Sequence, residues 1–180
     1  MKRKIFISIN IPDKIRKRLE RAVEKWQSLP VKWTPEANLH VTLVFLGYVA
    51  EDDVPGICAR VRETAEKSDI FDLEFDRIEL FPSAETPRMV ALTGSASEEL
   101  KNLVNGIEES LEISSAPKKT FRPHITLGRG RKYKWEALEN KPTISEKFPL
   151  TLPVESVEIM ASDFGAKGQE YAILESCTLK

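Results

Sequence analysis

The chain contains few histidines and cysteines and has no long apolar run. It has only two cysteines and two histidines among 180 residues. Cys58 and Cys177 stand far apart, in neither a metal-ligand nor a redox spacing, so neither a disulfide framework nor a zinc site is expected. The apolar run near the N-terminus covers residues 5–11 and includes Ser8 and Asn10. It is too short and too polar for a signal peptide or a membrane span. We therefore expect a cytoplasmic protein with no membrane partner.

A strong excess of charge of one sign is also missing. Lys and Arg number 27 and Asp and Glu number 28, which leaves a formal net charge of -1. This balance excludes the global positive field that an extended duplex-binding surface would need. Hydrophobic residues make up 41% of the chain, enough for a substantial core. We expect a monomer with one compact domain over residues 1–180, built as two small lobes.

The hydrophobic pattern predicts an α+β protein. Stretches with β-branched or alternating apolar residues predict strands, and apolar residues at three- and four-residue steps predict amphipathic helices. The last two strands are expected to be joined by a hairpin loop over residues 163–170, and residues 131–149 to form a basic and polar connection. The predicted strands cover residues 4–12, 39–47, 71–83, 88–94, 121–130, 154–162 and 171–179, and the predicted helices cover residues 14–29, 51–68 and 97–114.

The two histidines occur in matching surroundings. Residues 40–43 read His-Val-Thr-Leu, in the stretch NLHVTLVFLG, and residues 124–127 read His-Ile-Thr-Leu, in FRPHITLGRG. At average residue frequencies, such a match on the only two histidines has a chance probability on the order of one in ten thousand. Two ordinary core histidines are therefore a poor explanation. The motifs lie about half a chain length apart, which predicts an internal duplication: two pseudo-symmetric lobes, each an antiparallel sheet with helices packed outside it, and a cleft between the sheets.

Strand geometry predicts what these motifs present to the cleft. Residues two apart in a strand point to the same face, so His40 and Thr42 face the cleft together, as do His124 and Thr126. One neutral imidazole can accept a proton while one imidazolium donates a proton near pH 7. Hydroxyl groups can bind the charged oxygens of a phosphate. The set suits cleavage of a phosphodiester. Because neither motif contains a carboxylate that could complete a ligand set, we expect no catalytic metal and no cofactor.

With these motifs, the sequence resembles a known family. Paired His-x-Thr-Leu motifs, one in each half, are the hallmark of the two-histidine (2H) phosphoesterase superfamily. The whole chain, including its opening strand and its Tyr-containing last strand, is similar to the branch of RNA 2',3'-cyclic phosphodiesterases, also called 2'-5' RNA ligases. The resemblance implies hydrolysis of a 2',3'-cyclic phosphate at an RNA end to a 2'-phosphate. It implies that His124 is the base that activates water, that His40 is the acid that protonates O3', and that Thr42 and Thr126 bind phosphate. RNA ends are then the expected partners.

Two further residues are carried over from the family. The resemblance implies that Arg129 contacts the phosphate, although strand parity groups it with the core-facing residues of its strand. Glycines flank Arg129, and a bulge there would turn its side chain into the cleft. Some members of the superfamily stack a nucleobase on an aromatic residue at the position of Phe45, for which a core position is the alternative. Seven basic and no acidic residues between positions 118 and 134 predict a positive rim beside His124, with an ordinary solvated face as the alternative.

The sequence leaves other functions open. A non-catalytic module that binds RNA ends would keep the cleft, although such binding does not require both histidines. The resemblance also allows a relative that acts on 2'-5' oligoadenylate, on an ADP-ribose cyclic phosphate or on RNA 3' tails. Joining of RNA ends into 2'-5' linkages is the reverse of the hydrolysis and is chemically allowed, but water at about 55 M favours hydrolysis.

Overall fold

The computed structural model describes residues 1–113 and 121–180. Within these ranges the chain forms nine β-strands, four α-helices and three short 3₁₀ turns, which confirms the predicted α+β class. The strands are β1 (Lys2–Asn10), β2 (Val31–Trp33), β3 (His40–Ala50), β4 (Phe71–Phe81), β5 (Met89–Gly94), β6 (His124–Gly130), β7 (Ser145–Val154), β8 (Ser156–Gly165) and β9 (Gly168–Thr178). The helices are α1 (Asp13–Ala22), α2 (Val54–Glu66), α3 (Glu98–Ser110) and α4 (Lys132–Glu136).

The strands pair antiparallel and belong to one sheet. The order across the sheet is β7, β4, β5, β6, β3, β1, β8 and β9, and β2 pairs separately with β6. At the centre, β3 and β6 are joined by one residue pair, Val41 with Ile125. The sheet therefore consists of a five-stranded half, which includes β2, and a four-stranded half, with a narrow junction between them. This agrees with the predicted two-lobed arrangement, except that the two sheets touch, and it sets the two histidine strands side by side.

The apolar side chains of the sheet and the helices make one continuous core. Ile5, Ile7 and Ile9 of β1 recur at the period of a strand and are at most 2% exposed. Helix α2 packs on α3 and against β8 and β9. Helix α3 begins after Ser97, whose hydroxyl accepts the N–H of Leu100 at 3.2 Å as a helix cap. Its buried residues are Leu100, Leu103, Val104 and Ile107. No helix in the described part of the chain has the length and apolar character needed to cross a membrane.

Two predicted segments differ in secondary structure from the sequence expectation. The helix predicted over residues 14–29 is shorter, because α1 ends at Ala22 and a 3₁₀ turn follows over Glu24–Trp26. The predicted connection over residues 131–149 instead contains α4 and the first half of β7. Prolines within β7 remove backbone donors and disfavour a strand, but β7 lies at the edge of the sheet and pairs only with β4, where prolines are tolerated.

The hairpin between the last two strands is also tighter than predicted. The hairpin forms as expected, but the loop predicted over residues 163–170 is a two-residue turn between Gly165 and Gly168. Gly168 has a φ of +102°, which glycine adopts readily. The strands on both sides consequently extend further, and the tip of the hairpin reaches the cleft described next.

Candidate active site

The two histidine strands present the same pattern of side chains. In β3, His40 and Thr42 are partly exposed, and the residues between and after them are buried. In β6, His124 and Thr126 are partly exposed, with the same alternation. Because side chains alternate between faces in a strand, the four polar residues lie on the face opposite the core. Both motifs have the orientation that strand parity predicts.

A β-bulge lies at the last residue of each motif. The pairing of β1 with β3 skips Leu43, and the pairing of β5 with β6 skips Leu127. One extra residue in a strand re-aims the side chains that follow it. Phe45 and Arg129, the fifth residue after each histidine, are consequently exposed and line the cleft. Parity without a bulge puts Arg129 on the core side, so the bulge is the physical reason that parity alone gives the wrong face.

One cleft of about 370 Å³ brings together all the residues predicted for the site. Because β3 and β6 belong to different halves of the sheet, each half contributes one histidine and one threonine. The catalytic and phosphate-binding roles remain predictions. The predicted residues that line the cleft are His40, Thr42, Phe45, His124, Thr126 and Arg129.

Sequence reasoning missed several side chains that complete the cleft. Trp33 and Asn38 precede the first motif, Phe121 precedes the second, and Gln169 and Tyr171 belong to β9. Nδ2 of Asn38 donates to the backbone oxygen of Gln169 at 2.9 Å, which ties the β8–β9 hairpin to the start of β3. These residues lie outside both repeated motifs. The one available signal was the family's Tyr-containing last strand, which pointed to Tyr171.

Hydrogen bonds hold both ring nitrogens of His40. Nδ1 lies 2.7 Å from the backbone oxygen of Asn38 and must carry a proton to donate there. Nε2 lies 2.8 Å from Oγ1 of Thr42. In the neutral ring this nitrogen accepts from the Thr42 hydroxyl, and in the charged ring it donates to it. The rings of Phe6 and Tyr171 flank the imidazole, with centroids 5.0 and 5.2 Å away.

His124 is held by a related set of contacts. Its Nδ1 donates to the backbone oxygen of Arg122 at 2.9 Å, again two residues earlier in the chain. The ring of Phe81 stacks on the imidazole at 4.4 Å, with an angle of 25° between the planes. The guanidinium of Arg122 lies 5.0 Å from the Phe81 centroid and pairs with Glu79 at 3.1 Å. These contacts orient the ring, and within the described residues Nε2 has no hydrogen-bond partner and is left for a ligand.

Burial lowers the pKa of both histidines below the usual 6.5. The carbonyl that accepts from each Nδ1 opposes this by favouring the charged ring. Positive charges add to the lowering: Arg16, His124 and Arg129 act on the pKa of His40, and Arg129 and Arg122 act on that of His124. Both imidazoles are therefore mainly neutral at pH 7 in the free protein. Arg129 lines the same cleft as both rings, so its charge disfavours protonation of each of them.

The two threonines make different contacts. The hydroxyl of Thr42 is engaged with His40, as described above. The hydroxyl of Thr126 donates to the sulfur of Met89 at 3.3 Å, and a thioether is a weak acceptor. An anionic oxygen would therefore be a stronger partner for Thr126 than the one it has.

The described residues include no group of three or more His, Cys, Asp or Glu side chains that could hold a metal ion. Cys58 and Cys177 are both free and buried. Burial raises the pKa of the Cys177 thiol to about 12 and also raises that of Cys58. Neither cysteine forms the thiolate near pH 7 that redox or nucleophilic chemistry would require.

Only part of the predicted positive rim lies within the residues that the structure describes. Lys118 and Lys119 lie outside the described residues, and Arg122 is paired with Glu79. Of the rim residues that the structure describes, Arg129 is the one that lines the cleft. Two lysines from other segments, Lys32 and Lys167, also line it.

Comparison with known proteins identifies the family. A family model described as the 2'-5' RNA ligase superfamily matches residues 11–165. The chain belongs to the 2'-5' RNA ligase superfamily. A relative named RNA 2',3'-cyclic phosphodiesterase, from Thermus thermophilus, is 31% identical over 185 residues, which cover 98% of this chain and 90% of the relative. A relative of the same name from Archaeoglobus fulgidus is 30% identical over 128 residues, 70% of this chain and 72% of that protein.

The fold of this chain is also found among solved structures. A crystal structure of a protein from Thermus thermophilus is 28% identical, with a TM-score of 0.79, and the match covers 98% of this chain and 97% of that one. The predicted family and fold class are therefore confirmed.

Proposed function

We propose that this protein hydrolyses 2',3'-cyclic phosphates at RNA ends to 2'-phosphates, with its two histidines as acid and base and without a metal. The observation that carries the proposal is the matched pair of imidazoles in one cleft. In each, Nδ1 donates to the carbonyl two residues earlier, so that Nε2 is the nitrogen that can exchange a proton with a ligand. Membership of the superfamily and the names of the relatives support an RNA 2',3'-cyclic phosphate as the substrate.

In the proposed reaction, His124 accepts a proton from a water molecule while the water oxygen attacks the phosphorus. The bond between phosphorus and O3' breaks, its electron pair goes to O3', and His40 gives its proton to that oxygen. The products are a 2'-phosphate and a free 3'-hydroxyl, with His124 charged and His40 neutral. Proton exchange with solvent restores the starting state. The division of roles between the two histidines follows the family resemblance.

The substrate itself helps His40 to act as an acid. Burial and nearby cations lower the pKa of this histidine in the free protein. A bound phosphate places a negative charge beside the ring, and an opposite charge raises the pKa of an imidazole. Once charged, His40 can donate from Nε2 to Thr42 until the leaving oxygen takes the proton.

Arg129, Thr42 and Thr126 are proposed to bind the non-bridging phosphate oxygens. The guanidinium of Arg129 has no hydrogen-bond or ion-pair partner among the described residues, and a guanidinium forms strong charge-assisted hydrogen bonds with phosphate. Phe45 is 63% exposed at the cleft, which rules out the alternative of a core position. We propose that its ring stacks with the terminal base, as single-stranded RNA is commonly held.

The test is product analysis with a short RNA that ends in a 2',3'-cyclic phosphate, with EDTA present. We expect the wild-type protein to leave a 2'-phosphate, and the His40→Ala and His124→Ala variants to leave the end intact. A 3'-phosphate product would contradict O3' as the leaving oxygen, and loss of activity in EDTA would contradict metal independence. An intact end that still binds would instead indicate an RNA-end binding module. A further outcome is that the protein leaves the cyclic phosphate intact and cleaves another phosphodiester. Cleavage of 2'-5' oligoadenylate, an ADP-ribose cyclic phosphate or an RNA 3' tail would then identify that compound as the substrate and contradict the proposed one.

A further inference from the structure

Three cations without partners line the cleft. Lys32, Arg129 and Lys167 all contribute to its wall, and in the described part of the chain none of their side chains has a hydrogen bond or an ion pair. No Asp or Glu is found among the lining residues that the structure describes. In a protein whose net charge is -1, this is a local excess of positive charge that the cleft itself does not neutralise. Such an excess favours an anionic ligand.

The first lysine lies directly opposite Arg129. Strand β2 pairs with β6 so that Lys32 faces Arg129 across the ladder. Directly opposite residues in an antiparallel pair share one face, with Cβ atoms roughly 5 Å apart, and like charges there repel. An anion bound between them would relieve the repulsion. The close approach of β2 depends on Gly128, where an added Cβ would lie 2.5 Å from the Val31 side chain.

The second lysine comes from the other half of the sheet. Lys167 lies in the two-residue turn between β8 and β9. This hairpin is held at the cleft by the hydrogen bond from Asn38 to the backbone oxygen of Gln169, and the Gln169 side chain donates to the Ser162 hydroxyl at 2.6 Å. Lys32 and Lys167 therefore approach the cleft from opposite halves, on elements whose positions are fixed by backbone pairing.

We propose that Lys32 and Lys167 bind the phosphodiester one nucleotide upstream of the cyclic phosphate, so that the enzyme selects RNA chains over 2',3'-cyclic mononucleotides. This inference rests on the proposed function. The cyclic phosphate carries one negative charge, which Arg129 and the charged His40 already neutralise. The two additional cations leave positive charge that favours a second anion, and the next phosphodiester is the anion that an RNA chain supplies. A lysine ammonium is a point charge on a flexible stem, suited to a phosphate whose orientation varies with the bound sequence.

The experiment compares two substrates for each protein variant. One is 2',3'-cyclic AMP, and the other is a dinucleotide that ends in the same cyclic adenylate. The ratio of the two kcat/KM values measures recognition of the upstream phosphate. We expect the wild-type ratio to favour the dinucleotide, and Lys32→Ala and Lys167→Ala each to lower that ratio by about three- to fivefold, as for one exposed charge pair. The preference of the wild-type protein for the dinucleotide should decrease as the salt concentration rises.

Matched controls separate charge from shape. Lys32→Arg keeps the positive charge, and its ratio of kcat/KM values is expected to stay close to that of the wild-type protein. Lys17→Ala removes an exposed lysine of α1 away from the cleft and is expected to leave the ratio at its wild-type value. Thermal melting of each variant checks that the fold is retained.

The outcomes distinguish this inference from the function on which it rests. If the wild-type protein hydrolyses neither substrate, the proposed function itself is wrong. If it hydrolyses both, and the lysine variants lose activity on both equally or on neither, the function stands and the upstream site is overturned. A ratio that falls in Lys32→Ala and Lys167→Ala but not in Lys17→Ala supports the upstream site.

Discussion

At the scale of single residues, the chemistry depends on which nitrogen of each imidazole is free to exchange a proton. In both histidines a backbone carbonyl two residues earlier binds Nδ1. This contact fixes the tautomer of the neutral ring and directs Nε2 to the cleft. The backbone at the start of each strand, rather than a carboxylate partner, therefore sets the orientation of the two rings.

The first prediction concerns the two histidines as a unit. His40→Ala and His124→Ala are each expected to lower kcat by about 100-fold to 10,000-fold, the usual loss for a general acid or base. The double variant should be barely slower than either single variant, because the acid and the base serve the same bond-breaking step. Single-turnover rates with an RNA cyclic phosphate provide the measurement. Fully multiplicative losses would mean that the two histidines act at separate sites.

The second prediction concerns pH. Because burial and nearby cations lower the pKa of both histidines, the bell-shaped profile of kcat/KM should have its optimum below 6.5, the usual histidine value. The optimum of kcat should lie at higher pH, since bound phosphate raises both pKa values. Arg129→Ala removes a positive charge that disfavours protonation, so its kcat/KM optimum should move to higher pH. A flat profile from pH 5 to pH 9 would be incompatible with paired histidines.

Individual residues show how far the sequence alone can lead. The orientation of His40, Thr42, His124 and Thr126 follows from the period of a strand, and the structure agrees. The orientation of Arg129 depends in addition on the bulge at Leu127. That bulge arises from pairing with β5, which is distant in sequence, so the residues around Arg129 do not determine it. Trp33, Asn38 and Gln169 could not be found, because tertiary contacts rather than a local pattern bring them to the cleft.

At the scale of secondary-structure elements, the approach of β2 to β6 depends on one glycine. A Cβ at Gly128 would lie 2.5 Å from Cγ1 of Val31 and 2.9 Å from Cε3 of Trp33. We predict that Gly128→Ala destabilises the protein by about 1–3 kcal/mol, the cost of overpacking. That corresponds to roughly 2–12 °C in Tm for a chain of this size. Activity should fall as well, because β2 carries Trp33 to the cleft.

Gly130→Ala is the matched control for this prediction. It lies in the same strand, and its added Cβ would come no closer than 3.6 Å to the nearest atom, an ordinary contact. Thermal melting and activity of the two variants can be compared directly. Equal melting temperatures would show that β2 can shift to accept the added methyl group without loss of stability. Gly128 would then not be required for the position of β2.

Elements with a strong apolar period were predictable, and those that depend on their neighbours were not. Helix α3 has a clear apolar stripe and a serine cap, and it begins where predicted but ends at Ser110, earlier than the predicted end at residue 114, which lies outside the described residues. Strand β7 contains prolines that only an edge position tolerates, and edge position cannot be inferred locally. The three-residue β2 is too short to have a recognisable period of its own. The missed elements therefore depend on sheet topology for their identity.

At the scale of the whole molecule, the site exists only where the two halves of the sheet meet. The repeated motif predicted two related lobes and a cleft between them. It did not predict that one residue pair, Val41 with Ile125, joins them into a single sheet, because a single bridge leaves no pattern in the sequence. The identical positions of the bulges and of the Nδ1 contacts are what an internal duplication would leave, and the duplication remains our hypothesis.

The last prediction follows from this division of the site. A reaction product such as 2'-AMP should contact β3 and β6 together and thereby stabilise the junction between the halves. At about 100 times its dissociation constant, a ligand specific for the folded state adds roughly 2.7 kcal/mol of stability. For a chain of this length, Tm should rise by roughly 5–10 °C. Arg129→Ala should reduce that rise, because the phosphate loses its guanidinium partner, whereas Lys17→Ala should not.

Hydrogen exchange locates the effect within the fold. If 2'-AMP binds across the junction, amide protection should increase in both β3 and β6, the strands that carry His40 and His124. Protection confined to one of these strands would mean that the ligand contacts one half alone, and the shared site would then be wrong. Because β3 and β6 pair with each other at one residue pair, a ligand that contacts both adds a second connection between these two strands. The increase in protection should therefore be largest at the centre of the sheet and decline toward the edge strands β7 and β9.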